Sequence, residues 1–387
     1  MSRRTTFEVK PAIESIAKIK VVGVGGSGGS AINRMLARKI RSIEFIAMNT
    51  DLQALQQSLA DIKLQLGKET TRGLGAGMNP DMGAKSAEEN VDEIRKMIGD
   101  ADMVFLTCGL GGGTGSGAAP IIADIARETG ALTVAVVTKP FKFEGMQRRR
   151  IAEDAYERLM DKVDTIITIP NDRLLQIVDK KTSLLEAFAV VDDVLNQGVI
   201  GISELITIPG MINVDFADVK AIMSGAGSAL MGIGIASGEE RATTAARAAV
   251  ESPLLEVSIE GARGVLFVVT AGPSLTMHEV NAAAEVITAS SDPEAKVIFG
   301  TVIDERMGDE LKVTVIATGF RGLGDKAKEK RTMPESRPEQ FRQQATDVPA
   351  ANRSVFFKPK ETPAPETPEP QNELDIPTFI RNQMKKR

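Results

Sequence analysis

The sequence has 387 residues, of which 26% are charged and 42% are hydrophobic, and its formal net charge is −5. This composition is that of an ordinary globular protein, and the length suggests two domains with additional segments. The acidic balance gives no argument for nucleic-acid binding. A single cysteine, Cys108, excludes an intrachain disulfide and a cysteine-based metal site, and a single histidine, His278, argues against histidine-rich zinc sites and histidine-based catalysis. Since the chain has no membrane-length apolar run and no signal-peptide core at its polar N-terminus, we expect a cytoplasmic protein.

The first elements predict a nucleotide-binding fold. After a polar arm over residues 1–17, residues 19–24 predict a strand that leads into a glycine-rich run at 25–30 and then a helical pattern. Residues 23–28 formally fit the dinucleotide fingerprint G-x-G-x-x-G, and an acidic residue, Asp51, follows the next predicted strand. An NAD-dependent oxidoreductase of the Rossmann type is therefore one alternative.

A second glycine-rich stretch, Gly-Leu-Gly-Gly-Gly-Thr-Gly-Ser-Gly at residues 109–117, lies between a predicted buried strand at 103–107 and a predicted helix from 118. Glycines let the backbone approach a ligand closely, and the unpaired amides of a helix N-terminus attract anions, so this loop predicts a phosphate site. Thr114 and Ser116 can add hydroxyl donors. A flexible linker is the other interpretation, but linkers are not flanked by a buried strand and an apolar helix. No Gly-Lys-Ser/Thr follows, so this is not a Walker loop.

Strand and helix patterns continue to alternate. Residues 62–66, 132–137 and 165–169 predict strands, 73–80 a turn-rich loop and 86–97 a helix. This alternation predicts a mostly parallel sheet with helices on both faces, and ligands then bind at the carboxyl ends of the strands.

The longest helical pattern runs from residue 183 to 202. Beyond it, Asn213, Asp215 and Asp218 precede another helical pattern, where a helix cap with first-turn acids is the simplest explanation. From about residue 224 a second α/β region is predicted. Its candidate strands are 228–236, 265–270, 297–303 and 311–318, and its candidate helices are 239–250 and 278–289.

The last part of the sequence differs in composition. Residues 321–371 are rich in Pro, Glu, Lys, Gln and Arg, which predicts a disordered linker. In the final stretch Asp375 can cap a short helix with Ile376, Phe379 and Ile380 on one apolar face. Such a peptide has no core of its own, so we expect it to bind a groove on a partner.

Several of these motifs together resemble the FtsZ family of tubulin-like GTPases. Residues 109–117 resemble its signature loop, with Ser116 where that family usually has Thr, and residues 213–219, Asn-Val-Asp-Phe-Ala-Asp-Val, match its synergy loop. The resemblance covers about residues 17–320 and resumes at the tail, where Leu-Asp-Ile-Pro-Thr-Phe-Ile-Arg is similar to the family's C-terminal peptide. Its remaining nucleotide-contacting segments match Asn49-Thr-Asp51 and residues 73–77, 138–145 and 169–172.

The resemblance implies a tubulin/FtsZ-like α/β fold, in which a parallel-sheet nucleotide-binding domain and a second α/β domain are joined by a long central helix and followed by a disordered linker. The implied parts are a flexible arm at 1–17, a GTP-binding domain at 18–182, the central helix at 183–208, a GTPase-activating domain at 209–320, the linker at 321–371 and a partner-binding peptide at 372–387.

By the same resemblance, Ala76 and Gly77 lie near the γ-phosphate, Glu144 and Arg148 hold the ribose, Asn171 and Asp193 read the guanine edge, and Phe188 packs on the base. Taken alone, Asp193 would be a solvated helix residue. Ser30 replaces an Asn that often contacts the base, and Ser27 interrupts the usual glycine run, which calls for a permissive backbone. The implied GTP-binding residues are Gly25, Gly26, Ser27, Gly28, Ser30, Asn49, Ala76, Gly77, Gly111, Gly112, Gly113, Thr114, Gly115, Ser116, Gly117, Glu144, Arg148, Asn171, Phe188 and Asp193.

The implied function is a GTP-hydrolysing protein that polymerises head to tail and forms the division ring of bacteria at mid-cell, with magnesium on the phosphates of GTP or GDP. Catalysis would be shared, because Asn213, Asp215 and Asp218 of one subunit would reach the nucleotide of the next. The expected partners are other copies of the chain and membrane-tethering or regulatory division proteins. The tether-binding residues would be Leu374, Asp375, Ile376, Pro377, Phe379 and Ile380. A tubulin-like filament of other purpose, such as plasmid segregation or cell shape, and the oxidoreductase remain as alternatives.

Overall fold

A computed structural model describes residues 17–37, 43–175, 182–207, 214–255 and 258–320. The predicted arm before residue 17, the predicted linker, the C-terminal peptide and Asn213 lie outside these ranges.

Ten strands of the described residues form one sheet in the order β3-β2-β1-β4-β5-β6-β7-β10-β8-β9. The strands are β1 Ile19–Val24, β2 Ile43–Asn49, β3 Ile62–Gln65, β4 Met103–Gly109, β5 Leu132–Lys139, β6 Thr165–Pro170, β7 Gly227–Ser237, β8 Gly264–Ala271, β9 Lys296–Ile303 and β10 Glu310–Thr318. The α-helices are α1 Gly25–Ala37, α2 Leu52–Gln57, α3 Lys68–Thr71, α4 Pro80–Glu88, α5 Val91–Ile98, α6 Gly113–Glu128, α7 Met146–Met160, α8 Asn171–Leu174, α9 Leu184–Thr207, α10 Phe216–Met223, α11 Arg241–Val250 and α12 Met277–Ala289.

Strands β1 to β6 are all parallel, as the alternating pattern predicted. In β1, Val21 faces an apolar layer that contains Met35 of α1, whereas the next residue, Val22, faces a second layer that contains Ile122 of α6. Burial on both faces explains why these strands are continuous apolar runs rather than alternating ones.

The second half of the sheet continues directly from the first. Thr165 of β6 lies opposite Gly227 of β7 in a short parallel pairing, and β10 runs antiparallel between β7 and β8. Helices α11 and α12 pack on one face of this half. The other face shares a core with α9, in which Val199 and Ile202 are fully buried. The predicted long central helix is therefore present, and it has 24 residues.

The helix predicted at residues 86–97 is two helices, α4 and α5. Asn79 caps α4 ahead of Pro80, so this helix starts earlier than predicted. At the junction, Asn90 Oδ1 accepts from the Gly67 N–H at 2.9 Å, and Asn90 Nδ2 donates to Glu93 at 2.8 Å. These side-chain bonds hold the chain in a turn that a continuous helix would not allow.

Both glycine-rich runs are more helical than predicted. Helix α1 begins at Gly25, directly after β1, and α6 begins at Gly113, so most of each run is the first turns of a helix. Within the described ranges, no helix has the length and apolar character needed to cross a bilayer.

Candidate functional site

A cavity of about 430 Å³ lies where β1, β4, β5 and β6 end, at the carboxyl edge of the sheet. Its volume falls within the range of roughly 300–1,000 Å³ that is typical of small-molecule sites. The lining residues are Val24, Gly25, Gly26, Ser27, Ser30, Gly77, Gly109, Leu110, Gly112, Gly113, Thr114, Gly115, Thr138, Pro140, Glu144, Arg148, Asn171, Phe188, Val191, Asp192 and Leu195.

One part of the cavity is formed by two helix N-termini. Residues of the first turns of both α1 and α6 line it, and a Cβ placed on Gly25 would lie 3.3 Å from the Gly115 nitrogen, so the two termini are in contact. The cap position of α6, Gly112, provides no side-chain hydrogen bond to the helix amides. Two helix N-termini with their positive dipole ends in one place make this part of the cavity suited to phosphate.

An aromatic wall borders another part. Phe188 of α9 lines the cavity and is 39% exposed, and its ring meets the ring of buried Phe141 edge to face, with centroids 5.6 Å apart and an interplanar angle of 84°. Phe141 in turn stacks on Phe143 at 4.9 Å. This packing holds Phe188 in place, so its ring offers a flat surface on which a nucleobase can stack.

Two hydrogen-bond acceptors line the same cavity. The Oδ1 atom of Asn171 is buried, has no hydrogen-bond partner within the described residues, and belongs to a lining residue. Asp192 of α9 is the second, and its Oδ2 accepts from Arg34 Nε at 2.8 Å. Burial is the main cause that raises the pKa of Asp192; the Arg34 guanidinium opposes this shift and the neighbouring Asp193 adds to it. A buried acceptor without a partner is costly, so Asn171 calls for a ligand that donates a hydrogen bond.

Glu144 and Arg148 form an ion pair on the cavity lining. Arg148 Nη1 donates to Glu144 Oε2 at 2.8 Å, and Glu144 Oε1 accepts from the Phe141 N–H at 2.9 Å. Both ends of the Glu144 carboxylate are thereby positioned, and the pair presents one acceptor and one cationic donor group to a ligand.

Comparisons with known proteins give matches to both halves of the sheet-forming part of the chain. Residues 18–179 match the tubulin/FtsZ family GTPase domain, and residues 227–321 match the C-terminal domain of the FtsZ family. One solved structure similar to this chain is an empty dimer of FtsZ from M. jannaschii, which is 47% identical in sequence. The match covers 78% of this chain and 88% of that chain, and its TM-score is 0.76.

This chain belongs to the FtsZ family. A point mutant of M. jannaschii FtsZ is equally similar, with 47% identity over 79% of this chain and 91% of that one, and a TM-score of 0.76. CetZ2 from Haloferax volcanii, in a GTPγS-bound protofilament, has 20% identity over 81% of this chain and 97% of that one, with a TM-score of 0.68. At that identity the likeness shows the fold alone.

Membership of the FtsZ family makes this protein a tubulin-like GTPase at the level of the family, with GTP or GDP as the nucleotide. The oxidoreductase alternative is set aside, because the fingerprint at residues 23–28 lies inside a matched GTPase domain.

The structure brings most of the residues that the FtsZ resemblance implied into one cavity. Of the twenty, thirteen line it, and the other seven do not: Gly28, Asn49, Ala76, Gly111, Ser116, Gly117 and Asp193. Ser116 is fully buried, and its Oγ accepts from the Gly111 N–H at 2.8 Å, so its hydroxyl shapes the loop from inside. Asn49 is also turned to the backbone, because its Oδ1 accepts from the Asp51 N–H at 3.2 Å.

Gly28 and Gly117 have structural reasons to be glycine. A Cβ on Gly28 would lie 2.5 Å from the Thr107 carbonyl oxygen, because α1 packs directly on β4. A Cβ on Gly117 would collide with the Pro80 carbonyl oxygen where α6 crosses α4. These glycines allow elements to approach each other, which in turn places the phosphate-binding loops.

The two departures from the family pattern both line the cavity. Ser27 was expected to need a permissive backbone, but it lies within α1, and Arg72 is the one non-glycine residue with positive φ among those described. Ser27 and Ser30 are exposed, so each places a hydroxyl at the cavity.

Sequence reasoning missed Asp192 and its partner Arg34. The lining includes Asp192, which is four residues after Phe188 and therefore on the same face of α9, whereas Asp193 is turned away by about 100°. The spacing of four residues between Phe188 and Asp192 was the sequence signal that could have identified Asp192 as a cavity residue. Asp193 makes other interactions within the structure.

The predicted catalytic acids do not line the cavity of their own chain. Asp215 occupies the cap position of α10 and Asp218 lies in its first turn, and both are exposed. The other end of α10 lies next to Asp164, since Gly225 donates to Asp164 Oδ1 at 3.3 Å, and Asp164 precedes β6 at the amino edge of the sheet. The cavity is at the opposite, carboxyl edge.

Proposed function

We propose that this protein binds and hydrolyses GTP, with the phosphates between the N-termini of α1 and α6 and the guanine against Phe188. The unpaired Oδ1 of Asn171, in a cavity that also contains the Asp192 carboxylate, carries this proposal. Guanine has two adjacent donors, N1–H and the 2-amino group, that can satisfy these acceptors, whereas adenine has no donor at N1. A carboxylate and an amide oxygen therefore favour guanine over adenine.

A competition experiment tests the choice of nucleotide. Labelled GTP bound to the purified protein should be displaced by unlabelled GTP and GDP at much lower concentrations than by ATP or NAD. Equal displacement by ATP would overturn the assignment of guanine. Displacement by NAD alone would favour the alternative that the protein is an NAD-dependent oxidoreductase.

The remaining roles are those that the FtsZ resemblance implied. Glu144 and Arg148 would bind the ribose hydroxyls, and the loop with Ala76 and Gly77 would approach the terminal phosphate, since the Gly77 carbonyl already accepts from the Gly113 N–H at 2.7 Å. Within the described ranges, no three His, Cys, Asp or Glu residues are grouped to hold a metal ion. Magnesium would therefore be held mainly by phosphate oxygens and water, as this ion commonly is, and would neutralise charge on the phosphates.

Self-assembly is part of the proposal. Leu74, Phe143 and Met146 are 86%, 63% and 78% exposed, and each belongs to a segment next to cavity-lining residues. Large apolar side chains on such a rim favour a protein–protein contact. Because the acids of α10 are not on this rim, the contact would join two different surfaces and would generate an open filament. The M. jannaschii relative is described as a dimer.

Shared hydrolysis would use the same contact. Asp215 and Asp218, with Asn213 outside the described residues, would enter the cavity of the next subunit and orient the attacking water. Positioning and charge stabilisation are the main contributions a protein makes to phosphoryl transfer. The part at 18–182 of one subunit would then bind the nucleotide, and the part at 209–320 of the next subunit would activate its hydrolysis.

The biological role we propose is assembly of the cytokinetic ring at mid-cell in the bacterial cytoplasm. The tail at 372–387 would bind membrane-tethering proteins through its apolar residues. Removing residues 373–387 should leave GTP hydrolysis and polymerisation nearly intact and abolish recruitment to membrane-bound partners. If the truncated chain still localised to the division site, the tail would not be the tether.

A further inference from the structure

Two threonine hydroxyls from distant parts of the chain meet beside the cavity. Thr50 Oγ1 lies 2.6 Å from Thr114 Oγ1, although the residues are 64 positions apart. Thr114 lines the cavity from the first turn of α6, whereas Thr50, which follows β2, is fully buried and does not line it. Thr50 belongs to the segment Asn49-Thr-Asp51 that the resemblance implied, but it is not among the individual GTP-binding residues implied there, and it had no role of its own.

Thr50 is held by its own backbone. Its carbonyl oxygen accepts from the Gly75 N–H at 3.2 Å and from Thr71 Oγ1 at 3.2 Å. The next residue, Asp51, caps α2 by accepting from two backbone amides. Because the Thr50 carbonyl and Asp51 are both held by hydrogen bonds, the Thr50 hydroxyl has a fixed position. It can therefore orient the more exposed hydroxyl of Thr114.

The position of the Thr114 side chain follows from its surroundings. Its methyl group lies towards Gly25 of α1, where an added Cβ would be 3.7 Å from Thr114 Cγ2. Its hydroxyl lies towards Thr50. The side chain therefore sits between the two helix N-termini that form the phosphate-binding part of the cavity.

The geometry allows either hydroxyl to be the donor in this contact, and burial favours one direction. Among the described residues, Thr114 Oγ1 is the one hydrogen-bond partner of Thr50 Oγ1. If the buried Thr50 hydroxyl did not donate to Thr114, its proton would have no acceptor among the described residues, so donation from Thr50 to Thr114 is the favoured direction. The proton of Thr114 is then left to point into the cavity, where an anion can accept it.

We propose that Thr50 is a positioning residue for phosphate: it donates to Thr114 Oγ1 and so directs the Thr114 proton to a phosphate oxygen of the nucleotide. This inference rests on the proposed nucleotide site and adds a residue that does not touch the ligand. A chain of two hydroxyls that ends on an anion also strengthens each of its bonds by polarisation.

A double-mutant cycle tests this role. Thr50→Val keeps the shape of the side chain and removes its hydroxyl, and Thr114→Val does the same at the cavity. Affinity for GTP and for GDP is measured for the full chain, for each variant and for the double variant, together with the thermal unfolding midpoint. Thr50→Ser, which keeps the hydroxyl, is the matched control.

We expect Thr50→Val to weaken GTP binding about five- to twentyfold, the usual effect of a lost hydrogen bond in a charged network. In the Thr114→Val background the same change should have an effect below about twofold, because its target is gone. Thr50→Ser should restore binding to near the original value.

An equal loss in both backgrounds, or a lower unfolding midpoint with unchanged affinity, would show that Thr50 only stabilises the loop and would overturn the proposal. The proposed function fails separately, if the unaltered chain prefers ATP over GTP or binds neither. In that case, Thr50→Val could still weaken ATP binding in the original chain but not in the Thr114→Val background. That result would support the phosphate role of Thr50 while rejecting guanine recognition.

Discussion

Arg34 Nε donates to Asp192 Oδ2 at 2.8 Å, and this ion pair connects α1 to α9 at the wall of the cavity. Arg34 does not line the cavity, whereas Asp192 does. The guanidinium therefore acts on a ligand through the carboxylate, both by fixing its orientation and by favouring its ionised form.

The first prediction concerns pH. Burial raises the pKa of Asp192, Asp193 adds to this shift, and Arg34 opposes it. Guanine binding needs the ionised carboxylate, so affinity for GTP should fall as the pH falls through the pKa of Asp192. Removing the cation in Arg34→Met should raise that pKa further, so the loss begins at a higher pH. Titrating GTP affinity from neutral pH downwards measures the shift, since both pKa values lie above the ordinary value of an aspartate.

Arg247→Met is the control for this change. Arg247 is an exposed residue of α11, so its loss alters the net charge equally without touching the cavity. Parallel pH profiles for Arg34→Met and the unaltered protein would contradict the role of Arg34.

The second prediction separates two neighbouring acids. Asp192→Ala should lose most of the preference for GTP over ATP, about ten- to a hundredfold, as expected when a charged hydrogen bond is removed. Asp193→Ala, the residue that the sequence resemblance indicated, should keep that preference because it does not line the cavity. Competition binding with both nucleotides decides, and the reverse result would restore Asp193 as the residue that reads the base.

The third prediction uses two adjacent glycines of α1. Gly28→Ala should lower the free energy of unfolding by about 1–3 kcal/mol, because the new Cβ meets the Thr107 carbonyl and over-packs the contact between α1 and β4. Gly29→Ala, whose Cβ meets nothing within 4 Å, should raise it by about 0.5–1 kcal/mol through helix propensity. Urea denaturation measures both. Unchanged stability with lost GTP binding in Gly28→Ala would make Gly28 a ligand contact.

The fourth prediction tests shared hydrolysis. Asp215→Asn keeps a residue that can cap α10 but removes the charge, so it should bind GTP and hydrolyse it poorly. Asp192→Ala has the opposite defect: its cavity binds the nucleotide poorly, but Asp215 and Asp218 are unchanged. Mixing the two variants should restore hydrolysis, because the cavity of the first is then completed by the acids of the second. Each variant at the same total concentration is the control, and no gain on mixing would show that the site is complete within one chain.

The sequence by itself determined the order of the strands along the chain and the edge of the sheet at which the glycine-rich runs meet. Apolar runs in β1, β4 and β5 alternate with helical patterns, and strands buried on both faces must be apolar throughout, so a parallel sheet could be predicted. The glycine-rich runs at residues 25–30 and 109–117 follow such strands, and the carboxyl ends of parallel strands lie on one edge, so their meeting could be predicted as well.

Tertiary structure alone decided which side chains line the cavity. Adjacent positions on a helix point about 100° apart, so the packing of α9 determines that Asp192 rather than Asp193 lines the cavity. The partners Arg34 and Asp192 are 158 residues apart, and Thr50 and Thr114 are 64 apart. Local patterns report helix and strand periodicity, whereas these pairs depend on how α1, α6 and α9 pack around the sheet, and that packing is a property of the whole core.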